Sequence, residues 1–298
     1  MTDSLKLVTW NLWGHGGDWK ARQPAIDAAL TAAQPDILAV QETWTDGGRW
    51  PQLERLAELL GCYTAAATPP PRGPGDFGLA VLSRWPISSH RVHQLPVADD
   101  PPDDRIALAA DIVTPAGILP VCTVHLSWPP DQSHVRQDQV RTLAGVLTSQ
   151  EPAGRLPQIL CGDFNAEPVS DEIRMLTGQT RVPVPGGVFQ DAWQAGGDGS
   201  PGYTWSHRNP AAAQGRFGNS RLDYVFVRWA GHGAIVRAEV VDGRGPGGVW
   251  ASDHLAVLAE LDLDALAQQL QDEGAEGFVT AWKDLIGHIE SQTVAVAR

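Results

Sequence analysis

The stretch Leu160-Cys161-Gly162-Asp163-Phe164-Asn165 constrains this chain more than any other. The apolar run over residues 156–161 reads as a buried strand, and a glycine, a carboxylate and a carboxamide follow it at once. Side chains alternate faces along extended backbone, so Asp163 and Asn165 can point the same way off the strand end. A carboxylate there can bind a hard cation or polarise a water, and the amide beside it can orient a phosphoryl oxygen. Taken alone, the same four residues are equally a plain turn. The rest of the chain has to decide between the two.

At 298 residues the chain suits one large α/β domain or two small ones. Strands are expected over residues 5–10, 37–40, 77–82, 105–113, 118–125, 222–228, 234–241 and 255–261. Helical stripes fall at Ile26, Ala29, Leu30 and Ala33, at Leu53, Leu56, Ala57 and Leu60, and at Val140, Leu143, Ala144 and Leu147. Pro51 suits the first turn of the second helix and Gly61 its C-terminal cap. A short helix is expected over 171–176, and loops over 68–76, 99–104 and 182–218. Strands and helices alternate at both ends, with antiparallel-looking pairs in each half. The pattern predicts one α/β domain over residues 1–262, a pair of mixed sheets covered by helices. Residues 263–298 then form a C-terminal helical extension. Its stripes run through Leu263, Leu266, Ala267 and Leu270, and through Phe278, Trp282, Leu285 and Ile289.

Net charge is −13 and the isoelectric point near 5.0. Tight, sequence-specific DNA binding is therefore not expected, since passive attachment along a phosphate backbone relies on a basic face. An enzyme that holds a single phosphate through a metal and a few arginines remains compatible. The three cysteines, Cys62, Cys122 and Cys161, have no zinc spacing, and the last two sit in strand-like runs as buried thiols. No apolar run reaches membrane-spanning length and no signal-like leader is seen. A reduced cytoplasmic setting and a monomer are expected.

One design recurs. Strand ends deliver Asn11, Glu42, His125, Asp163 with Asn165, Asp223, and Asp253 with His254. Each alone has an ordinary explanation, a turn former, a helix-start acid or a satisfied core histidine. Together they are the amides, acids and imidazoles that catalytic sites gather on loops at strand ends.

The ordered set Thr9-Trp10-Asn11, Gln41-Glu42, Thr123-Val124-His125-Leu126, Gly162-Asp163-Phe164-Asn165, Arg221-Leu222-Asp223-Tyr224 and Ser252-Asp253-His254 resembles the endonuclease/exonuclease/phosphatase superfamily. That group includes pancreatic deoxyribonuclease, neutral sphingomyelinases and inositol polyphosphate 5-phosphatases. The resemblance implies a deoxyribonuclease I-like, four-layer α/β sandwich, two facing mixed sheets flanked by helices, with a metal-dependent phosphoesterase site at one edge. Carried over, it implies a Mg²⁺ site (Mn²⁺ as substitute) at Glu42 with Asn11 adjacent, Asp163 contributing and Asp253 at its edge. Asp163 would align or deprotonate the attacking water, and Asn165 would hold a phosphoryl oxygen. Asp223 would fix the tautomer of His254. His125 would protonate the leaving group or stabilise the pentavalent charge. A carboxylate partner raises a histidine's pKa, but which histidine is the base stays open at this level.

Arg105, opening a strand, matches a place where family members present an arginine to phosphate, and bidentate pairing suits that task. Arg84, before Trp85-Pro86, reads as a structural turn residue. Trp13, Trp44, Trp50, Trp128 and Trp205 either stack on bases or cover edges of the sandwich. Leu12-Trp13-Gly14 after Asn11 departs from abasic-site endonucleases, and residues 221–224 lack the late cluster of the inositol 5-phosphatases. His125 and Leu222-Asp223-Tyr224 look more like the deoxyribonuclease and sphingomyelinase branches. The expected activity is Mg²⁺-dependent hydrolysis of a phosphodiester, in nucleic acid, a lipid headgroup or a small molecule. The alternatives are a phosphomonoesterase of the same fold and a non-catalytic scaffold.

Overall fold

The computed structural model describes residues 4–46, 48–69, 77–98, 104–149, 155–215, 218–228 and 233–268. Most of the loops expected at 68–76 and 99–104, Leu270, and the stripe from Phe278 to Ile289 lie outside these residues.

Period-two apolar patterning builds the molecule. In β1 (Ser4–Asn11) and β2 (Ile37–Trp44), Leu5, Leu7, Ile37 and Ala39 face one apolar cluster while Val8, Trp10, Leu38 and Val40 face another. β8 (Ile159–Asp163) and β10 (Asp223–Arg228) do the same, sending Ile159, Cys161, Val225 and Val227 one way and Leu160, Tyr224 and Phe226 the other. Strands apolar on both faces must be covered on both faces.

The covers are helices α1 (Trp19–Ala33) and α2 (Pro51–Leu60) on one sheet, and α3 (Ser133–Ser149) and α4 (Asp171–Leu176) on the other. The shared cluster between the sheets draws on both of them. The result is a four-layer sandwich of helices, sheet, sheet, helices.

The remaining strands are β3 (Tyr63–Ala67), β4 (Phe77–Ser83), β5 (Ile87–Leu95), β6 (Arg105–Thr114), β7 (Gly117–His125), β9 (Phe189–Asp191), β11 (Ile235–Val241) and β12 (Ala256–Asp262). A short helix, α5 (Ala192–Gly196), follows β9. One six-stranded sheet runs β11-β12-β1-β2-β4-β3 and the other β5-β6-β7-β8-β10-β9. Both are mixed, because β1–β2 and β7–β8 pair parallel while their neighbours pair antiparallel.

Three strands depart from the sequence reading. β3 and β5 were not expected, and β9 with α5 falls inside the span read as loop. All three strands lie at sheet edges; β5 is exposed along most of its length and carries Ser-Ser-His-Arg, and β9 is only three residues long. Strands so exposed or so short lack the apolar signal by which an inner strand is found. α1 also begins earlier than expected, at Trp19, because Asp18 accepts a hydrogen bond from the Ala21 amide and caps it. Beyond β12, residues 263–268 are helical, and Leu263 and Leu266 are buried in the inter-sheet cluster.

Gly162 is the residue that lets β8 run so close to β7. Its φ is +135°, and a Cβ there would stand 2.1 Å from the Val124 carbonyl oxygen. Gly162→Ala should therefore destabilise the fold by about 1–3 kcal/mol through backbone strain, with steric overlap adding to it. A urea titration showing an unchanged midpoint would contradict this.

Candidate active site

The inter-sheet face of the strands turns from apolar to polar at one end, and that end gathers the candidate residues. Following the same alternation, Leu7, Thr9 and Asn11 in β1, Val121, Thr123 and His125 in β7, and Ile159, Cys161 and Asp163 in β8 share the inner face. Gln41 joins the sheets just below, donating from Nε2 to the hydroxyls of Thr9 (3.1 Å) and Thr123 (3.0 Å). Register then assembles the residues above it. Asp163 pairs with His125 on one side and with Asp223 on the other, so three polar residues form a row across adjacent strands.

Asp163 is the hub. Its Oδ1 accepts the Asn165 backbone N–H at 2.9 Å. Its Oδ2 accepts the Asn11 side-chain amide at 3.0 Å and faces Nε2 of both His125 (3.5 Å) and His254 (3.6 Å). Asn165 takes a left-handed φ of 49°, which asparagine tolerates, and its Nδ2 donates to the Leu126 carbonyl. From the facing sheet comes Glu42, also left-handed at φ 54°, at a register break in the β2–β4 pairing. Its Oε1 accepts from Asn11 Nδ2 at 3.1 Å and lies 4.0 Å from His125 Nε2.

Asn11 differs in one respect from its expected place among the metal ligands. Its Oδ1 accepts the Trp13 backbone N–H at 2.9 Å, so it turns its nitrogen, a donor, toward the two carboxylates.

His254 lies between two acids, with Nδ1 2.8 Å from Asp223 Oδ2. Trp205 packs edge-on against its ring at 5.0 Å. The segment carrying it is tied to β1 by Trp10 Nε1, which donates to the His254 carbonyl, and by the Ser252 hydroxyl, which donates to the Asn11 carbonyl at 2.6 Å. Asn209 Nδ2 donates to the carbonyls of Ser252 and Asp253. Thr204 Oγ1 accepts the backbone N–H groups of Leu222 and Asp223 at the start of β10.

The two histidines are driven apart. Burial, then the charges of Arg105 and His254, pushes His125 well below the usual imidazole range. Burial also opposes charge on His254, but Asp223 and then Asp163 outweigh it and lift His254 well above that range. Burial raises Asp163 to about 6, with the His254 charge opposing and Asp223 adding to the rise. Asp253 rises to about 6 by burial too, opposed by His254 and reinforced by Glu42. Burial likewise raises Glu42, although its side chain keeps 28% of its surface open.

This donor set fits a hard divalent cation. Buried carboxylate oxygens whose charge is destabilised by low dielectric are what such an ion neutralises. Asp163, Asp223 and His254 bring ligand-type atoms within 4.8 Å of one another. In that trio Nδ1 of His254 is already engaged by Asp223, so the imidazole bridges two acids. Glu42, the most open of the carboxylates, carries the accessible oxygens.

Arg105 opens β6 beside the centre, where its charge bears on Glu42 and His125. Arg84 pairs with Asp36 at 2.5 Å and stacks on Trp85, a structural role. Trp44 is buried, Trp50 packs on the α1–α2 face, and Trp128 remains 46% exposed.

Arg22 was missed by the sequence reading. Buried beneath the loop after β1, it donates to the carbonyls of Leu12, Trp13, Gly14, Gly16 and Ala251. The signal was an arginine in phase with the apolar stripe of α1, at i−4 from Ile26. Arg22→Met should strand those carbonyls and lower stability by about 3 kcal/mol. A denaturant midpoint that does not move would rule this out.

The sequence matches the model of the endonuclease/exonuclease/phosphatase family over residues 8–254. No protein of curated function matches it significantly. Among solved structures, a humanized D. rerio TDP2 superposes with a TM-score of 0.67 at 18% identity, covering 86% of this chain and 98% of that one. An endonuclease/exonuclease/phosphatase family protein from Bacteroides thetaiotaomicron gives 0.66 at 20% identity, covering 88% and 95%. The human Nocturnin catalytic domain, with a bound sulfate anion, gives 0.62 at 18% identity, covering 87% and 94%. At these identities the likeness is one of fold. The family match spans most of the chain and includes every predicted metal or acid–base residue: the chain belongs to the endonuclease/exonuclease/phosphatase family.

Proposed function

We propose that this chain is a Mg²⁺-dependent phosphodiester hydrolase, with Mn²⁺ as a substitute ion, acting on nucleic acid or on a small or lipid-headgroup phosphodiester. The observation that carries the reading is the register row His125–Asp163–Asp223, with His254 closing onto Asp163, opposite the Asn11–Glu42 pair. Glu42, Asp163 and Asp253 would hold the ion. When bound, it masks charge on the phosphate so that water can approach.

The protein's own groups do the rest. Asp163 Oδ2, the oxygen that already gathers Asn11, His125 and His254, orients the attacking water and accepts its proton. Asn165, with one amide hydrogen on the Leu126 carbonyl, offers the other to a phosphoryl oxygen. His254, kept charged by Asp223, supplies positive charge and a proton to the departing side. Neutral His125 offers a hydrogen bond to the same oxygens. Asn11 spaces the two acids, and Arg105 adds a cation at the phosphate entrance. The unequal charge states of the histidines thus support an assignment of roles that spacing alone left open.

The test is hydrolysis of bis(p-nitrophenyl) phosphate, plasmid DNA and p-nitrophenylphosphorylcholine with Mg²⁺, with Mn²⁺ and with EDTA. Turnover that requires the metal is the expected result, and the preferred substrate names the class. No turnover of any of them with either ion would overturn the reading.

A further inference from the structure

Beside the centre, the loop after β1 and the end of β2 build a patch of aromatic rings. His15 lies with its ring centroid 4.3 Å from Trp44, 5.3 Å from Trp19 and 6.3 Å from Phe77. Trp19 and Trp44 meet edge-on at 5.3 Å. Trp44 is buried beneath, whereas His15 is exposed, Phe77 is 41% exposed and Trp19 is half-buried. The patch stands at the strand end that carries the acids: Trp44 follows Glu42 by two residues in β2, Phe77 pairs with Trp44 across the sheet, and the loop bearing His15 begins where Asn11 holds the Trp13 N–H. The cavity of about 650 Å³ against β11, by contrast, is lined by none of the predicted site residues.

A patch that merely covered Trp44 would not require a rigid mount, yet this one has one. Trp13 holds a left-handed φ of 57°, costly for a bulky side chain. Asn11 fixes its amide, and Arg22 stacks on its indole at 4.9 Å while bonding the carbonyls on both sides of His15. Gly14 lies so close to Phe77 that a Cβ would fall 2.0 Å from the ring. Exposed rings are thus presented at fixed positions beside a phosphoester site, the arrangement by which stacking platforms take bases. Charge points the same way. At −13 the chain gains little from long-range attraction to a polyanion, so a stacked base would add affinity beyond what the ion and Arg105 give at the phosphate itself. Lys20, 5.5 Å from the Trp19 ring centroid, adds one local cation.

We propose that His15, Trp19 and Phe77 form a stacking subsite for a nucleobase borne by the phosphodiester at the Asp163–Glu42 centre. The proposal rests on the hydrolase reading above and narrows its substrate to nucleotide diesters. Two esters with one leaving group test it: the p-nitrophenyl ester of thymidylate and methyl p-nitrophenyl phosphate. Trp19→Ala and, separately, the exposed His15→Ala should raise KM for the thymidylate ester about tenfold, within the range of one lost base–aromatic stack. Kinetics on the methyl ester should stay unchanged, and the wild-type preference for thymidylate should survive added salt. Equal losses on both esters, or no wild-type preference, would overturn the subsite while leaving the hydrolase reading intact.

If neither ester is turned over, the hydrolase reading is judged by the three substrates named above, and calorimetric titration of the Asp163→Asn protein decides the subsite separately. The ligands are thymidylyl-thymidine and a thymidine hexamer. Affinity weakened by the added Trp19→Ala change supports the subsite, and absent or unchanged binding overturns it. A stronger hexamer assigns a polymeric substrate, and equal affinities assign a small nucleotide.

Discussion

Replacing His254 by alanine is expected to lower kcat for phosphodiester hydrolysis by about 10³-fold, within the span measured for a positioned acid–base group. Asp163→Asn is expected to do at least as much, because Asp163 Oδ2 alone collects Asn11, His125 and His254. The two losses should not add in the double variant, since the residues act as one unit.

Asp223→Asn separates charge from geometry. It keeps the side chain's shape beside Nδ1 but removes the strongest influence raising the imidazole, leaving burial, which lowers it. A His254 that must be protonated is active below its pKa. The alkaline limb of the pH–rate profile should therefore move to lower pH in this variant. A limb that stays in place, with only the plateau reduced, would remove His254 from the role assigned to it.

The second large effect concerns Glu42. Glu42→Gln preserves volume and can still meet Asn11, but it removes a full negative charge from the open oxygen set of the centre. Activity at moderate Mg²⁺ should fall by roughly 10²–10³-fold, and part of it should return at high metal, because the loss is one of affinity. A variant with unchanged metal dependence would place the ion elsewhere.

In the wild type, metal and protons compete for the same carboxylates. With Asp163 and Asp253 near 6, apparent metal affinity should weaken as pH falls below about 6, and the acid limb should shift to lower pH as Mg²⁺ is raised. An acid limb insensitive to metal concentration would contradict this coupling. Kinetic titrations in Mg²⁺ at several pH values read both effects.

The candidate residues were legible because each lies at, or within a few residues of, one end of an inner strand, and inner strands carry the strongest periodic signal. Leu156 to Cys161 announces a buried strand, and Asp163 stands where it stops. The metal and acid–base candidates Asn11, Glu42, His125, Asp163, Asp223, Asp253 and His254 all fall at such ends. What escaped lies at the margins. β3 and β5 are edge strands with little buried surface, β9 is only three residues long, and Arg22 is a charge on an apolar stripe. No local pattern tells that five carbonyls around it will take up its hydrogens.

The sequence by itself determined the inner strands, which face of each their apolar residues take, and which chemical groups stand at their ends. Alternation and turn chemistry are local, so they can be read without the fold. Only the tertiary structure decided what those groups do to one another. Register aligned His125, Asp163 and Asp223 in one row, and burial with charge separated two histidines that are chemically alike at the start. The Trp13 mount set His15 against Trp19 and Trp44. Each of these depends on contacts between segments far apart in the chain, and on the low dielectric that exists only once the two sheets have closed.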